Sequence, residues 1–190
     1  TTTALITQIL VNAGADPSAV IGGKLPFIGG NGRVGRSETI VCEACEYVDT
    51  FLHLEPALSV ILNIDADHLD YFKTLENIIR SFHQFALQTS RLLIINGDDA
   101  NTRKAVEGIP SEKLLTFGFD EGNRYRAVDI ADTKRACERF TVLKDGAPLC
   151  EVSLRIPGKH NIYNALAAVA VADYMGVDAQ TIAESLHQFT

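Results

Sequence analysis

Leu58-Ser59-Val60-Ile61-Leu62-Asn63-Ile64 runs directly into Asp65-Ala66-Asp67-His68-Leu69-Asp70. The first half is almost wholly apolar, as a strand buried on both faces of a parallel sheet is. The second half carries three carboxylates and one imidazole. In an open α/β sheet, ligands bind just beyond the carboxyl ends of such strands. Acidic oxygens beside an imidazole can hold a divalent cation and a phosphate near it. The stretch predicts a buried strand that delivers a functional turn, and it points to phosphoryl chemistry. A plainer reading stands beside it, in which the aspartates only shape the turn and cap the helix region at Leu75.

Outward from this stretch, strands and helices alternate. Leu75 to Gln88 has Ile78, Ile79, Phe82, Phe85 and Ala86 on one helical face. Arg91 to Asn96 reads as a strand, Asp99 to Val106 as a helix and Lys113 to Gly118 as a further strand. Upstream, Thr1 to Ala13 reads as a helix stopped by Gly14, and Thr39 to Cys45 as a strand. Gly29-Gly30-Asn31-Gly32 reads as a flexible loop leading to Arg33 and Arg36. This order predicts an α/β fold, a mostly parallel sheet flanked by helices. Downstream, Tyr125 to Ile156 changes to short alternating runs around the turn signal Lys144-Asp145-Gly146. A small antiparallel subdomain over about 125–156 is expected there. Asn161 to Met175, rich in alanine, and Ala179 to Phe189 read as closing helices.

Composition narrows the class. The chain has 190 residues, 46% hydrophobic and 22% charged, enough for a real core in one large domain or two small ones. A net charge of −7 argues against a nucleic-acid partner, which needs a basic face. No apolar run approaches the roughly 20 residues that span a bilayer. Thr1-Thr2-Thr3-Ala4 carries no basic region of a signal peptide, so a cytoplasmic protein is expected. The missing initiator Met makes the chain read as an excised or processed piece. Cys42 and Cys45 form a lone CxxC among four cysteines, and buried free thiols are the expectation.

Four constellations carry candidate chemistry. Thr1-Thr2-Thr3 heads an apolar helix, where free backbone N–H groups and the helix dipole attract phosphate. A simple Thr N-cap explains the same residues. Glu43, near a strand end with Glu46 and Asp49 after it, can hold magnesium directly or through water, or belong to a solvated acidic turn. His68 can be a cation ligand, a phosphate donor or a capping residue. In Pro157-Gly158-Lys159-His160-Asn161-Ile162-Tyr163-Asn164, His160 and Asn164 share a helix face and can read a base edge. Asn161 as N-cap accounts for part of that set.

Together these segments resemble the ATP-dependent Mur ligases of peptidoglycan synthesis. The matching text is Glu43-Ala44-Cys45-Glu46-Tyr47 with Phe51-Leu52, then Asn63-Ile64 with Asp67-His68-Leu69-Asp70, then Pro157 to Asn161 with Asn164-Ala165. The likeness is greatest to the branch that joins L-alanine to UDP-N-acetylmuramate. The murein-peptide recycling ligases are near competitors, and folylpolyglutamate and cyanophycin synthetases share parts of the pattern. The resemblance implies that residues 1–190 are a central, P-loop-type ATP-binding domain. Domains holding the UDP-sugar and the amino acid would lie outside it. Thr1-Thr2-Thr3 would then be the end of the phosphate loop, with its lysine outside this chain and the isolated piece inactive.

Position by position, the resemblance implies Glu43 and His68 at the magnesium site. It implies Thr1, His160, Asn161 and Asn164 around ATP, and Asn31 and Arg33 toward the UDP-sugar. Later ligases of the family carry a carbamylated lysine downstream of the motif histidine. Phe82 stands there with no lysine beside it, which favours the alanine-adding or recycling branch. Two rival classes remain at this level. A non-catalytic nucleotide-binding module fits the fold. A metal-dependent phosphohydrolase fits the acidic turn but leaves His160 to Asn164 unexplained.

Overall fold

The computed structural model describes the backbone of residues 1–133 and 137–190, and side chains outside 132–137. In chain order the elements are α1 (Thr2–Asn12), β1 (Ser18–Leu25), β2 (Gly30–Arg33), β3 (Ile40–Cys42), β4 (Leu58–Ile61), α2 (Leu69–Phe72), α3 (Leu75–Gln88), β5 (Leu92–Asn96), α4 (Ala100–Ala105), β6 (Leu114–Gly118), β7 (Tyr125–Thr133), β8 (Cys137–Lys144), β9 (Ala147–Ser153), α5 (Lys159–Tyr174) and α6 (Ala179–Gln188). Short 3-10 turns lie between them, including Tyr47–His53. The chain forms two compact units. One comprises Thr1–Glu43 with Arg124–Thr190, the other Ala44–Asn123.

The second unit is the α/β core that Leu58 to Ile64 announced. β4, β5 and β6 pair in parallel, Leu58 opposite Leu92 and Leu93 opposite Leu114. β5 is buried along its whole length, as a central parallel strand should be. Ile61, Ile64, Phe72, Ile78, Ala86, Leu93, Ile95, Ala105 and Val106 make one apolar cluster. α3 begins and ends where its periodicity predicted. Thr74 caps it, its hydroxyl accepting the Asn77 N–H at 3.3 Å. The aspartates of the turn do not cap α3, contrary to that part of the plainer reading.

In the first unit, α5 is buried nearly all round, with Ala165, Ala167, Ala168, Ala170 and Ala172 wholly inaccessible. Small side chains let neighbours approach closely, and α1 and α6 pack on it. Gln8 of α1 donates to the Ser185 carbonyl at 3.1 Å inside this helix layer. β7, β8 and β9 form the expected antiparallel meander. The β8–β9 turn places Asp145 and Gly146 at positive φ, as a two-residue hairpin requires.

Three expectations are corrected here. The segment expected as a flexible Gly loop is β2, antiparallel to β1 with a bulge between Val20 and Leu25. The strand expected over Thr39 to Cys45 is only Ile40–Cys42, paired with β1, so Glu43 lies just past its end. Cys42 and Cys45 are exposed rather than buried. The β1–β3 register sets Cys42 beside Val20 on the open face, while Ala19 and Ile21 face the core. Cys150 is half-buried, and the Cys137 side chain lies outside the described residues.

Candidate functional site

In the first unit the starts of two helices meet. α1 opens at Thr1 with no side-chain cap, so its first N–H groups have no partner within the helix. α5 opens at Gly158, whose φ of 106° only glycine adopts without strain. Gly158, not Asn161, is therefore the N-cap. The Asn161 side chain donates back to the Pro157 carbonyl at 2.7 Å. Asn164 donates to Asn161 Oδ1 at 2.9 Å, and Thr2 Oγ1 donates to Asn164 Oδ1 at 2.9 Å. A continuous chain of side-chain bonds thus ties the Pro157 turn, α5 and α1. His160 stays exposed, its ring folded over Gly158. Thr1, His160, Asn161 and Asn164 are brought to one corner, with the two asparagines braced by each other.

Glu43 follows β3, and one of its oxygens accepts the Gly22 N–H at 2.7 Å. Asn31 is exposed on β2. Arg33, expected toward the UDP-sugar, ion-pairs with Asp16. Asp16 also accepts the Arg36 N–H at 2.9 Å, and its carbonyl accepts from Ser37. Nothing in the sequence pattern marked Asp16, because its partners lie about twenty residues away.

In the second unit, His68 heads α2 at a positive φ of 52°. Its ring lies against the Tyr47 ring, centroids 4.8 Å apart. Nε2 is 3.4 Å from Glu46 Oε1, and Nδ1 is 4.0 Å from Asp67 Oδ1. Tyr47 donates to Asp70 at 3.2 Å, and Tyr71 donates to Asp49 at 2.6 Å. Each carboxylate holds its phenol's pKa above the ordinary value, chiefly through that hydrogen bond. Asp65 accepts from Asn63 at 2.9 Å, shaping the turn as the plainer reading expected.

Among the described residues, no group of three or more His, Cys, Asp or Glu side chains could hold a metal alone. Glu43 and His68 belong to different units. Their chemistry fits magnesium all the same. That ion keeps several waters and takes few protein ligands beside substrate phosphates.

A parallel α/β unit with an acid–imidazole turn past its strand, on a chain whose α1 and α5 starts are bonded together, defines the class. Residues 1–172 match the model of the Mur ligase middle domain, and the chain belongs to that family. The UDP-N-acetylmuramate–L-alanine ligase of Caldanaerobacter subterraneus is 46% identical over 191 residues, spanning all of this chain and 41% of that protein. The Agathobacter rectalis ligase of the same name is 42% identical over the same shares. Among solved structures, the UDP-N-acetylmuramate-alanine ligase of Thermotoga maritima matches at TM-score 0.85 and 28% identity, over all of this chain and 42% of that one. The UDP-N-acetylmuramate:L-alanyl-gamma-D-glutamyl-meso-diaminopimelate ligase of Neisseria meningitides matches at 0.87 and 29%, over all of this chain and 62% of that one. The chain spans under half the length of the curated relatives named.

Proposed function

We propose that this chain is the ATP-binding middle domain of a cytoplasmic ligase that joins L-alanine to UDP-N-acetylmuramate. The observation that carries the reading is the Thr2–Asn164 bond, which joins the phosphate-seeking start of α1 to the base-reading start of α5. Likeness to alanine-adding ligases over the full chain supports it. In the reaction, a muramoyl carboxylate oxygen attacks the γ-phosphorus of ATP. The bond to the bridging oxygen breaks, ADP leaves and an acyl phosphate forms. The L-alanine nitrogen then attacks the acyl carbon, and phosphate leaves from the tetrahedral intermediate as the amide forms.

Phosphate charge is the main obstacle, so fixed donors carry most of the catalysis. The free N–H groups opening α1 face the phosphates. His160 and the Asn161–Asn164 brace read the adenine side. Glu43 and His68 would each offer magnesium a ligand, and the ion would neutralise phosphate charge. Asn31 lies toward the UDP-sugar, while Arg33 acts mainly through Asp16. No described helix is long and apolar enough to cross a membrane, and a net charge of −7 argues against a nucleic-acid partner.

A full-length protein carrying this sequence should release phosphate only with ATP, UDP-N-acetylmuramate and L-alanine together. This 190-residue chain alone should not turn over. Glu43→Ala or His68→Ala should each cut ligation at least ~100-fold. Turnover by the chain alone overturns the domain reading, and unimpaired variants at every magnesium concentration overturn the site. The match to the Neisseria structure favours a second reading, a murein-peptide recycling ligase. Preference for L-alanyl-γ-D-glutamyl-meso-diaminopimelate over L-alanine in the same assay would select it.

A further inference from the structure

Residues 46–49 and 68–71 face each other rung by rung. Glu46 lies 3.4 Å from His68, Tyr47 donates to Asp70 at 3.2 Å, and Asp49 accepts from Tyr71 at 2.6 Å. The two tyrosine–carboxylate bonds run in opposite directions, since the phenol comes first from one segment and then from the other. The far rung is anchored, because Ser81 of α3 also donates to Asp49. The tyrosine rings touch edge to face, 6.3 Å between centroids, and Tyr71 packs the same way on the buried Phe72 at 4.8 Å. Tyr47 links the first two rungs. Tyr47 lays its ring on the imidazole and sends its hydroxyl past it to Asp70.

Both segments are held in unfavourable backbone. Val48, Asp49 and His68 have φ of 54°, 55° and 52°, a region that non-glycine residues occupy only when their surroundings impose it. For β-branched Val48, itself 49% exposed, no burial compensates. Local bonds hold each turn, Phe51 N–H donating to the Cys45 carbonyl at 2.8 Å and His68 N–H to Asp67 at 2.8 Å, and the cross-links tie one turn to the other. Capping does not explain them: His68 makes no side-chain cap bond to α2, and Asp70 is engaged with Tyr47 rather than with a helix end.

We propose that Tyr47, with Asp70 as its anchor, is a positioning residue that fixes the imidazole of His68 in one orientation. The ladder then acts as the supporting shell that metal-ligating histidines generally need. The orientation of the ring is read from geometry alone. Its consequence for magnesium rests on the proposed ligase function.

The test separates the two. In the 190-residue chain, free of metal, NMR of the His68 ring protons reads the ring current of Tyr47. Tyr47→Phe keeps the ring and removes the anchor. It should move the His68 resonances toward those of a free histidine by more than half of their displacement, with an unchanged melting midpoint. Asp70→Ala should do the same from the other end of the bond, whether or not the Tyr47 variant folds. Asp70→Asn keeps an acceptor oxygen and should retain the native shifts. In the full-length protein, Tyr47→Phe should raise the magnesium concentration for half-maximal ligation roughly tenfold, leaving kcat at saturating magnesium close to native. Unmoved His68 resonances in Tyr47→Phe and Asp70→Ala overturn the positioning role. Moved resonances with an unmoved magnesium requirement uphold the ladder and overturn His68 as a magnesium ligand.

Discussion

Gly158 shows how much one position can fix. A methyl built there meets the His160 ring, and its backbone lies where L side chains are strained. The φ is what requires glycine, while the exposed imidazole above it can swing aside. Gly158→Ala should destabilise the protein by about 1–3 kcal/mol, the scale of one imposed backbone outlier. Urea unfolding reads this directly, and an unchanged midpoint would sink the argument. His160 should also leave its place over the turn, so ATP affinity in a full-length protein should fall with stability. The same scale shows what was hidden from sequence. Asn161 looked like an N-cap because Asn commonly is one. Only the folded chain shows its amide turned back to Pro157, with glycine taking the cap.

At the scale of elements, legibility followed the strength of the local signal. α3 was readable to its end residues because its apolar period and its Thr cap agree. The β8–β9 hairpin was readable from Lys144-Asp145-Gly146 because that turn demands those residue types. β2 was not. Its glycines carry no strand propensity, and what holds it is distant: Arg33 on Asp16, with Gly35 N–H donating to Ser18 at 3.0 Å. Gly35 has no room for a side chain against the backbone of Asp16 and Pro17, so this approach is specific as well as tight. The candidate site follows the same rule. The sequence displayed His68 and Glu43 by motif, whereas the Tyr47–Asp70 and Asp49–Tyr71 bonds needed two segments to be brought together. If the Asp16 clasp makes β2 a strand, Arg33→Gln should loosen it alone. Hydrogen exchange should quicken at β2 amides, with α5 amides unchanged. Equal protection in the variant would show that the β1 pairing suffices.

At the scale of the whole chain, the two units carry different ionisable burdens, and alkaline pH should reveal it. In the unit formed by Thr1–Glu43 and Arg124–Thr190, Tyr125 is buried and donates to Asp173, which also takes Lys144 at 2.6 Å. Burial, then the bond to Asp173, pushes the Tyr125 phenol well above its ordinary range. Burial, reinforced by the Asp173 charge, pushes the Cys150 thiol up to about 11 from 9.0. Both groups bind their protons more tightly when folded. The unfolded chain therefore loses protons first as pH rises, and stability must fall. Their contribution is fully present below pH 9 and, for Cys150, lost as pH climbs through about 11. Cys150 should account for roughly 1–2 kcal/mol of that loss once solvent screening is allowed for. Urea unfolding between pH 8 and pH 11 should show the decline in the native chain. Cys150→Ala combined with Tyr125→Phe starts lower at pH 8, because a buried hydrogen bond to a carboxylate is gone. It should nevertheless decline less steeply, since neither group remains to titrate. Parallel declines in the two proteins would place the alkaline sensitivity elsewhere. A shallower slope would assign it to the Tyr125–Asp173–Cys150 neighbourhood, at the end of α5 remote in sequence from the His160–Asn164 corner.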